Sequence, residues 1–216
     1  MLITLSGIKR SGKDSCADIL VKRYNFHKIA LADPLREICA KVFDIPLDTF
    51  LNDNTKEAPF LYPVQITESD LGHFEAIIEN EWGFTIDEMQ HNALYEHLGV
   101  TFGNPRQMLQ YIGTEFIRGC IDDNLFLKLA DKRIDRLEGN VVVTDVRFHV
   151  EQEWAKNKGA LMCLIKRPSL EQKDTHVSEN QLTDESMFNT IIMNDETFGR
   201  FQIEVDSYFS YVLRSR

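Results

Sequence analysis

A glycine-rich loop follows directly on the first apolar run of this chain, and it restricts the fold more than any other feature. Met1-Leu2-Ile3-Thr4-Leu5 reads as a short strand, Gly7-Ile8-Lys9-Arg10-Ser11-Gly12-Lys13-Asp14-Ser15 as the loop, and Cys16 to Tyr24 as a helical pattern. Strand, loop and helix in this order are what a phosphate-binding loop requires. Gly7 and Gly12 let the backbone turn tightly and direct its N–H groups inward, and the new helix adds its positive end. Lys13, read as an exposed loop residue, reaches toward the β- and γ-phosphates of a nucleotide. The nucleotide-phosphate set is therefore Gly7, Lys9, Arg10, Ser11, Gly12, Lys13, Asp14 and Ser15.

The position after the lysine departs from the usual pattern. Asp14 stands where Ser or Thr is common, and a hydroxyl comes one residue later at Ser15. In adenylate-kinase-like enzymes that position is often Gly, with Thr next. Lys13-Asp14-Ser15 therefore points to a small-molecule kinase rather than a motor or GTPase, whose hydroxyl holds magnesium directly. Asp14 has two readings: a first-turn charge favoured by the helix dipole, or a place in the magnesium shell.

The rest of the chain supplies the sheet such a loop needs. Strand patterns at 2–5, 28–31, 140–144, 160–165 and 190–193 alternate with helical patterns at 14–24, 33–42, 105–120, 124–137, 150–157 and 197–213. Alternation of this kind predicts an α/β fold, a parallel sheet wrapped by helices. Val141-Val142-Val143-Thr144 is β-branched throughout, as a strand buried on both faces would be. Residues 44–104 interrupt the alternation with Pro46, Pro59, Pro63 and a helical patch near 85–98, and read as an insertion on the substrate side of a single domain. Residues 166–189 are polar and charged between two strands, where a lid belongs.

Composition narrows the class. A chain of 216 residues with 43% hydrophobic and 27% charged content is ordinary for a globular domain. A net charge of −10 argues against broad nucleic-acid binding, though a local arginine cluster still suits a small anion. Cys16, Cys39, Cys120 and Cys163 are scattered in apolar segments, which predicts buried free thiols and a reducing compartment. No apolar run is long enough to span a membrane. The first strand begins at once, leaving no room for a signal peptide, so the expected location is the cytoplasm.

Four further segments carry candidate chemistry. Asp145 ends the third strand, where nucleotide-binding sheets place a magnesium-side acid; a helix cap is the lesser alternative. Arg147 and Glu151 lie four apart, so they either pair on a helix face or point into the site. Asp33 reads as an N-cap with Pro34 at the first helical position, and Arg36 follows in the first turn. Arg106 and Gln110 share one side of a helix, suited to a phosphate and a base edge, while Met108, Leu109 and Ile112 form its core stripe. Lys166, Arg167, Lys173 and His176 put cations in the lid, where phosphoryl transfer uses them to neutralise the migrating group. The same cations also fit a solvated loop.

Together these segments resemble the phage deoxynucleoside monophosphate kinases. The matching pieces are the loop Gly-Ile-Lys-Arg-Ser-Gly-Lys-Asp-Ser, Ala-Asp-Pro-Leu-Arg-Glu, Pro-Arg-Gln-Met-Leu-Gln-Tyr-Ile-Gly-Thr-Glu, Thr-Asp-Val-Arg-Phe-x-x-Glu, Arg-Pro with Thr-His-Val-Ser-Glu, and Asn194-Asp195-Glu196-Thr197. Residues 58–104 match poorly. The resemblance implies an adenylate-kinase-like P-loop fold with five parallel strands in the order 2-3-1-4-5. It implies transfer of the γ-phosphoryl of ATP to a deoxynucleoside monophosphate, with magnesium near Asp145 and Asp14, in a phage-encoded enzyme that binds no nucleic acid or membrane and forms a homodimer. Lys13, Arg147 and Arg167 take the catalytic roles. Asp33, Arg36, Lys56, Arg106, Gln110, Gly113, Thr114, Phe126, Asp145 and Glu151 fall near the acceptor, with Phe126 stacking on the base where relatives often carry tryptophan. Two alternatives stand beside this reading: a phosphomevalonate-type kinase, which shares a similar loop, and a nucleotide-dependent switch or binding module.

Overall fold

The computed structural model describes residues 1–170 and 185–214. The chain divides into two compact units, Met1–Leu31 with Ala130–Arg216, and Ala32–Leu129. The expected lid falls mostly at 171–184, and with it Lys173 and His176 lie outside the described residues.

The first unit is built on a parallel sheet. Its strands are β1 (Leu2–Ser6), β2 (Phe26–Ile29), β5 (Asn140–Val143), β6 (Leu161–Lys166) and β7 (Thr190–Met193). The order is β2-β5-β1-β6-β7, every pairing parallel. These labels differ from the expected 2-3-1-4-5 because β3 and β4, a short pair described below, enter the count. With those two set aside, the sheet runs second, third, first, fourth, fifth. Central β1 places Ile3 and Leu5 against Cys16, Ala17 and Leu20 of α1 (Lys13–Tyr24) and Phe201, Val205 and Phe209 of α10 (Phe198–Arg214). Leu2 packs the opposite face against Ala155 and Trp154 of α9 (His149–Asn157). Strand β2 begins two residues before its expected start and ends at Ile29, because Ala30 and Leu31 already turn toward α2.

The second unit has an aromatic core. Its helices are α2 (Asp33–Val42), α3 (Asp48–Leu51), α4 (Asp53–Glu57), α5 (Glu68–Ala76), α6 (Glu88–Tyr95) and α7 (Pro105–Tyr111). The antiparallel pair β3 (Val64–Gln65) and β4 (Thr101–Phe102) closes the insertion. Phe50, Phe74 and Phe116 are fully buried, and Phe74 lies 4.8 Å from Phe116 and 5.7 Å from Phe43, centroid to centroid. Such pairs contribute about 0.5–1.5 kcal/mol beyond their area. The expected helix at 105–120 is not uniform. It is α-helical to Tyr111 and then widens to a π-helix over Ile112–Arg118, where the Gly119 N–H reaches back to the Thr114 carbonyl. Helix α8 (Leu125–Ile134) follows.

Three of the four cysteines are buried as expected, but Cys120 is only half-buried. Burial pushes the Cys16 thiol from 9.0 up to about 12, and raises Cys39 and Cys163 well above the same value. A thiol whose folded pKa is raised stabilises the fold fully below the unfolded pKa. That contribution is lost as pH rises through the folded value. Denaturant midpoints are therefore expected to fall from about pH 9 toward pH 12. At neutral pH, peptide mapping after brief alkylation of the folded protein should find Cys120 modified well before the other three. Equal labelling of Cys39 would contradict the burial assigned here.

Candidate active site

The loop after β1 is shaped by two glycines and one lysine. Gly7 has φ 143° and Gly12 φ 108°, backbone states that side chains resist. A Cβ on Gly7 would lie 2.4 Å from the Ile165 carbonyl oxygen, which backbone cannot yield. Gly12 is the N-cap of α1 and offers no capping side chain, so the helix opens with N–H groups available to an anion. Lys13 is not the exposed residue expected from sequence. It is 6% exposed and folds back under the loop, where Nζ donates to the carbonyls of Gly7 at 2.6 Å and Ile8 at 2.7 Å. The Ser11 hydroxyl is fully buried and lacks a hydrogen-bond partner among the described residues. A buried unpaired hydroxyl costs about 1–3 kcal/mol, which a ligand oxygen would recover.

Neighbouring strand ends hold this loop from three sides. The Ser6 hydroxyl donates to the Val146 carbonyl at 2.8 Å, beyond β5. Gly7 lies against Ile165 of β6. The Asn194 side chain, one residue past β7, donates through Nδ2 to the Ser11 carbonyl at 2.8 Å. Asn194 was given no role on sequence grounds. The signal for it was its place just after a parallel strand, where side chains reach the carboxyl edge of the sheet.

The remaining first-unit candidates separate clearly. Asp145 sits at that edge and its Oδ1 accepts from the Leu31 N–H at 2.6 Å, joining the ends of β5 and β2 rather than capping a helix. Glu151 is buried and its Oε2 accepts from the N–H groups of Arg147 at 2.7 Å and Phe148 at 3.0 Å. The carboxylate thereby anchors the start of α9. Asp14 faces outward with its side chain 80% exposed, 3.2 Å from Lys28. This exposed pairing fits the first of its two readings, a charge in the first turn of α1. Lys9, Ser15 and Arg147 are half-buried, while Arg10, with φ 64°, and Arg167 are exposed.

The second unit holds the other acceptor candidates. Asp33 is the first residue of α2, with Ala32 as N-cap, so it pairs instead of capping: Arg36 Nη1 donates to Asp33 Oδ1 at 2.8 Å. Arg36 Nε is buried with no partner among the described residues. Arg106 Nε donates to Glu57 Oε1 at 2.6 Å, which ties α7 to α4, the helix that carries Lys56. Gln110 and Thr114 are half-buried. Gly113 packs closely on α2, since a Cβ there would lie 2.8 Å from Leu35 Cδ2 and that side chain would have to shift. Phe126 does not face outward for stacking as expected. It is 4% exposed within the core, and the Arg118 guanidinium lies 5.4 Å from its ring centroid, leaving no open face for a base.

Among the described residues, no group of three or more His, Cys, Asp or Glu side chains gathers as a metal cage. Magnesium does not need one, since one or two carboxylates together with substrate phosphates suffice. The Asp145 carboxylate at the strand edge and the unpaired Ser11 hydroxyl fit that kind of shared site. Among the described residues, no helix is long and apolar enough to cross a membrane.

Sequence comparison bears on this geometry. The deoxynucleotide monophosphate kinase of Escherichia phage RB69 is 28% identical, with 95% of this chain and 98% of that protein covered. The deoxynucleotide monophosphate kinase of Enterobacteria phage T4 is 24% identical over 82% of this chain and 86% of its own length. A protein of Acanthamoeba polyphaga mimivirus is 26% identical over 96% of this chain and 95% of its own. Residues 1–60 and 85–205 match the family of deoxynucleotide monophosphate kinases, a span that takes in the loop, α2, α7 and all five strands of the parallel sheet. The chain belongs to the deoxynucleotide monophosphate kinase family.

Proposed function

We propose that the protein transfers the γ-phosphoryl group of ATP to the 5′-phosphate of a deoxynucleoside monophosphate, giving the diphosphate and ADP. The observation that carries this reading is the uncapped start of α1 above a glycine-shaped loop, with a lysine already inside it. Those groups bind and neutralise phosphate oxygens, and most of the catalysis of phosphoryl transfer is such positioning and charge stabilisation. In this reading the loop N–H groups and Lys13 hold the β- and γ-phosphates, and Lys13 exchanges its two carbonyl partners for phosphate oxygens. Arg147 and Arg167 neutralise the migrating group. Magnesium would share the phosphates with Asp145 and add charge neutralisation there.

The acceptor is assigned to the second unit. Arg36 presents a buried Nε without a hydrogen-bond partner among the described residues, and its guanidinium is oriented by Asp33. Arg106 is held by Glu57. Arg36, fixed through Nη1, keeps other N–H groups for a phosphate, and the planar fork of either guanidinium matches that geometry. Lys56 adds charge, and Gln110 and Thr114 offer hydrogen-bonding groups. A panel of dTMP, dGMP, dAMP and dCMP with magnesium and ATP tests the assignment through ADP release. Turnover of at least one is expected, and turnover of none would overturn it.

Two substitutions test the halves separately. Lys13→Met keeps the length of the buried stem and removes the charge. Turnover is expected to fall on the order of 10²–10³, with the circular dichroism spectrum unchanged. Near-normal turnover would dismiss the loop assignment. Arg106→Lys keeps the charge and loses the planar fork. It should raise the acceptor KM well above any change in the ATP KM, with acceptor kcat/KM down roughly ten-fold or more, as expected from a charge-assisted bond of about 1.5–3 kcal/mol. Equal small changes for both substrates would remove Arg106 from the acceptor site.

A further inference from the structure

The Ser11–Gly12 peptide lies where α1 begins, and its orientation decides where the Gly12 N–H points. Its carbonyl accepts from Asn194 Nδ2 at 2.8 Å. A trans peptide sets its N–H opposite its C=O, so a side chain gripping the Ser11 oxygen turns the Gly12 N–H the other way. The grip is itself anchored: the Asn194 backbone N–H donates to the Lys166 carbonyl at 2.7 Å, at the end of β6. The fit is also tight, since a Cβ on Gly12 would come within 2.5 Å of Asn194 Nδ2. Gly12, at φ 108°, is thus held to glycine both by its backbone conformation and by the asparagine beside it. The Ser11 N–H donates to the Ile8 carbonyl at 3.2 Å, so the loop peptide is constrained on its other side as well.

We infer that Asn194 is a positioning residue for the donor nucleotide: it sets the plane of the Ser11–Gly12 peptide so that the Gly12 N–H faces the bound phosphates. This rests on the kinase reading above. Asn194 touches no substrate. It acts through the loop, and it transmits the rigidity of the β6–β7 edge to an otherwise short, glycine-jointed segment. Preorganised backbone donors of this kind cost no rearrangement when charge develops on the phosphates. Asparagine suits the task because its amide donates through Nδ2, whereas an aspartate of the same size has only oxygens to set against the Ser11 carbonyl.

The test separates ATP from the acceptor. Asn194→Ala removes the donor and Asn194→Asp replaces it with an acceptor at constant shape. The ATP KM is expected to rise roughly three- to ten-fold in Asn194→Ala and further in Asn194→Asp, with the acceptor KM within about two-fold of the wild type. General loosening of the fold would move both constants together, and that result, or an unchanged ATP KM, overturns the inference. A measurement on the unaltered protein guards against variants that do not fold. With MgATP, the Gly12 amide resonance should shift strongly while the Asn194 side-chain amide protons stay slow to exchange with solvent. Fast exchange of those protons in the ATP-bound protein overturns the inference. A wild-type chain that binds no ATP overturns the inference and the kinase reading together, whereas loss of the Asn194 effect alone leaves the kinase reading standing.

Discussion

The close approach of Gly7 to the Ile165 carbonyl is the constraint on which the nucleotide side of this protein depends. With 2.4 Å between that oxygen and any Cβ built on Gly7, the chain leaves β1 in this direction only as glycine. The approach exists because β6 is the immediate neighbour of β1, paired from Ile3–Leu161 to Ser6–Leu164. The parallel order therefore comes first, and the loop is fitted into the notch left at its carboxyl edge. β5 contributes the Val146 carbonyl to Ser6, and the end of β7 contributes Asn194 to Ser11. A mobile loop would have to order itself on binding each phosphate. Here most of that entropy has been spent during folding of the sheet.

Charge is managed by pairing in advance. The chain carries a net charge of −10, yet its proposed substrates are anions. Arg36 lies against Asp33, Arg106 against Glu57, and Lys13 against two carbonyls, so each cation waits in a defined place. Partly exposed ion pairs are worth only about 0–1 kcal/mol. A phosphate can therefore replace or share such a carboxylate at small cost, and it meets a guanidinium already oriented. The acids restrain the arginines without competing strongly for them. An acidic protein can bind phosphates on these terms while remaining a poor ligand for a polyanionic nucleic acid.

What could be read from sequence followed from how local each signal is. The loop, the β-branched Val141–Val143 strand and the span of α2 were legible because turn chemistry and burial on both faces leave strong marks. Residues 44–104 carry weaker marks: three prolines, turn residues such as Asn52-Asp53-Asn54, and a helical patch. The start of α5 was nonetheless written there: Thr67 and Asp70 form a reciprocal capping box, as do Asp87 and Gln90 at α6. The burial of Phe126 and the backbone contacts of Glu151 were illegible for a different reason. A family position tells which residue type stands there, but burial in the aromatic core and capping of α9 are decided by tertiary neighbours. Asn194 stands in a segment the sequence marks, but its contact was illegible because its partner, Ser11, is far away in the chain.

The π-helix at Ile112–Arg118 shows the same limit within one continuous segment. Arg106 and Gln110 are four apart on true α-helix, so the inference that they share a side is sound up to Tyr111. Beyond it the i→i+5 bonding turns the chain differently, and a 3.6-residue period no longer locates Gly113 or Thr114. A π-turn is unfavourable in isolation and needs compensation from packing. Gly113 provides part of it by letting Leu35 of α2 approach closely, and Phe116 provides more against Phe74. At the far end Arg118 lies over Phe126 and donates to the Asp123 carbonyl at 3.1 Å, fixing where the wide turn stops. The buried phenylalanine thus supports the segment that carries Thr114.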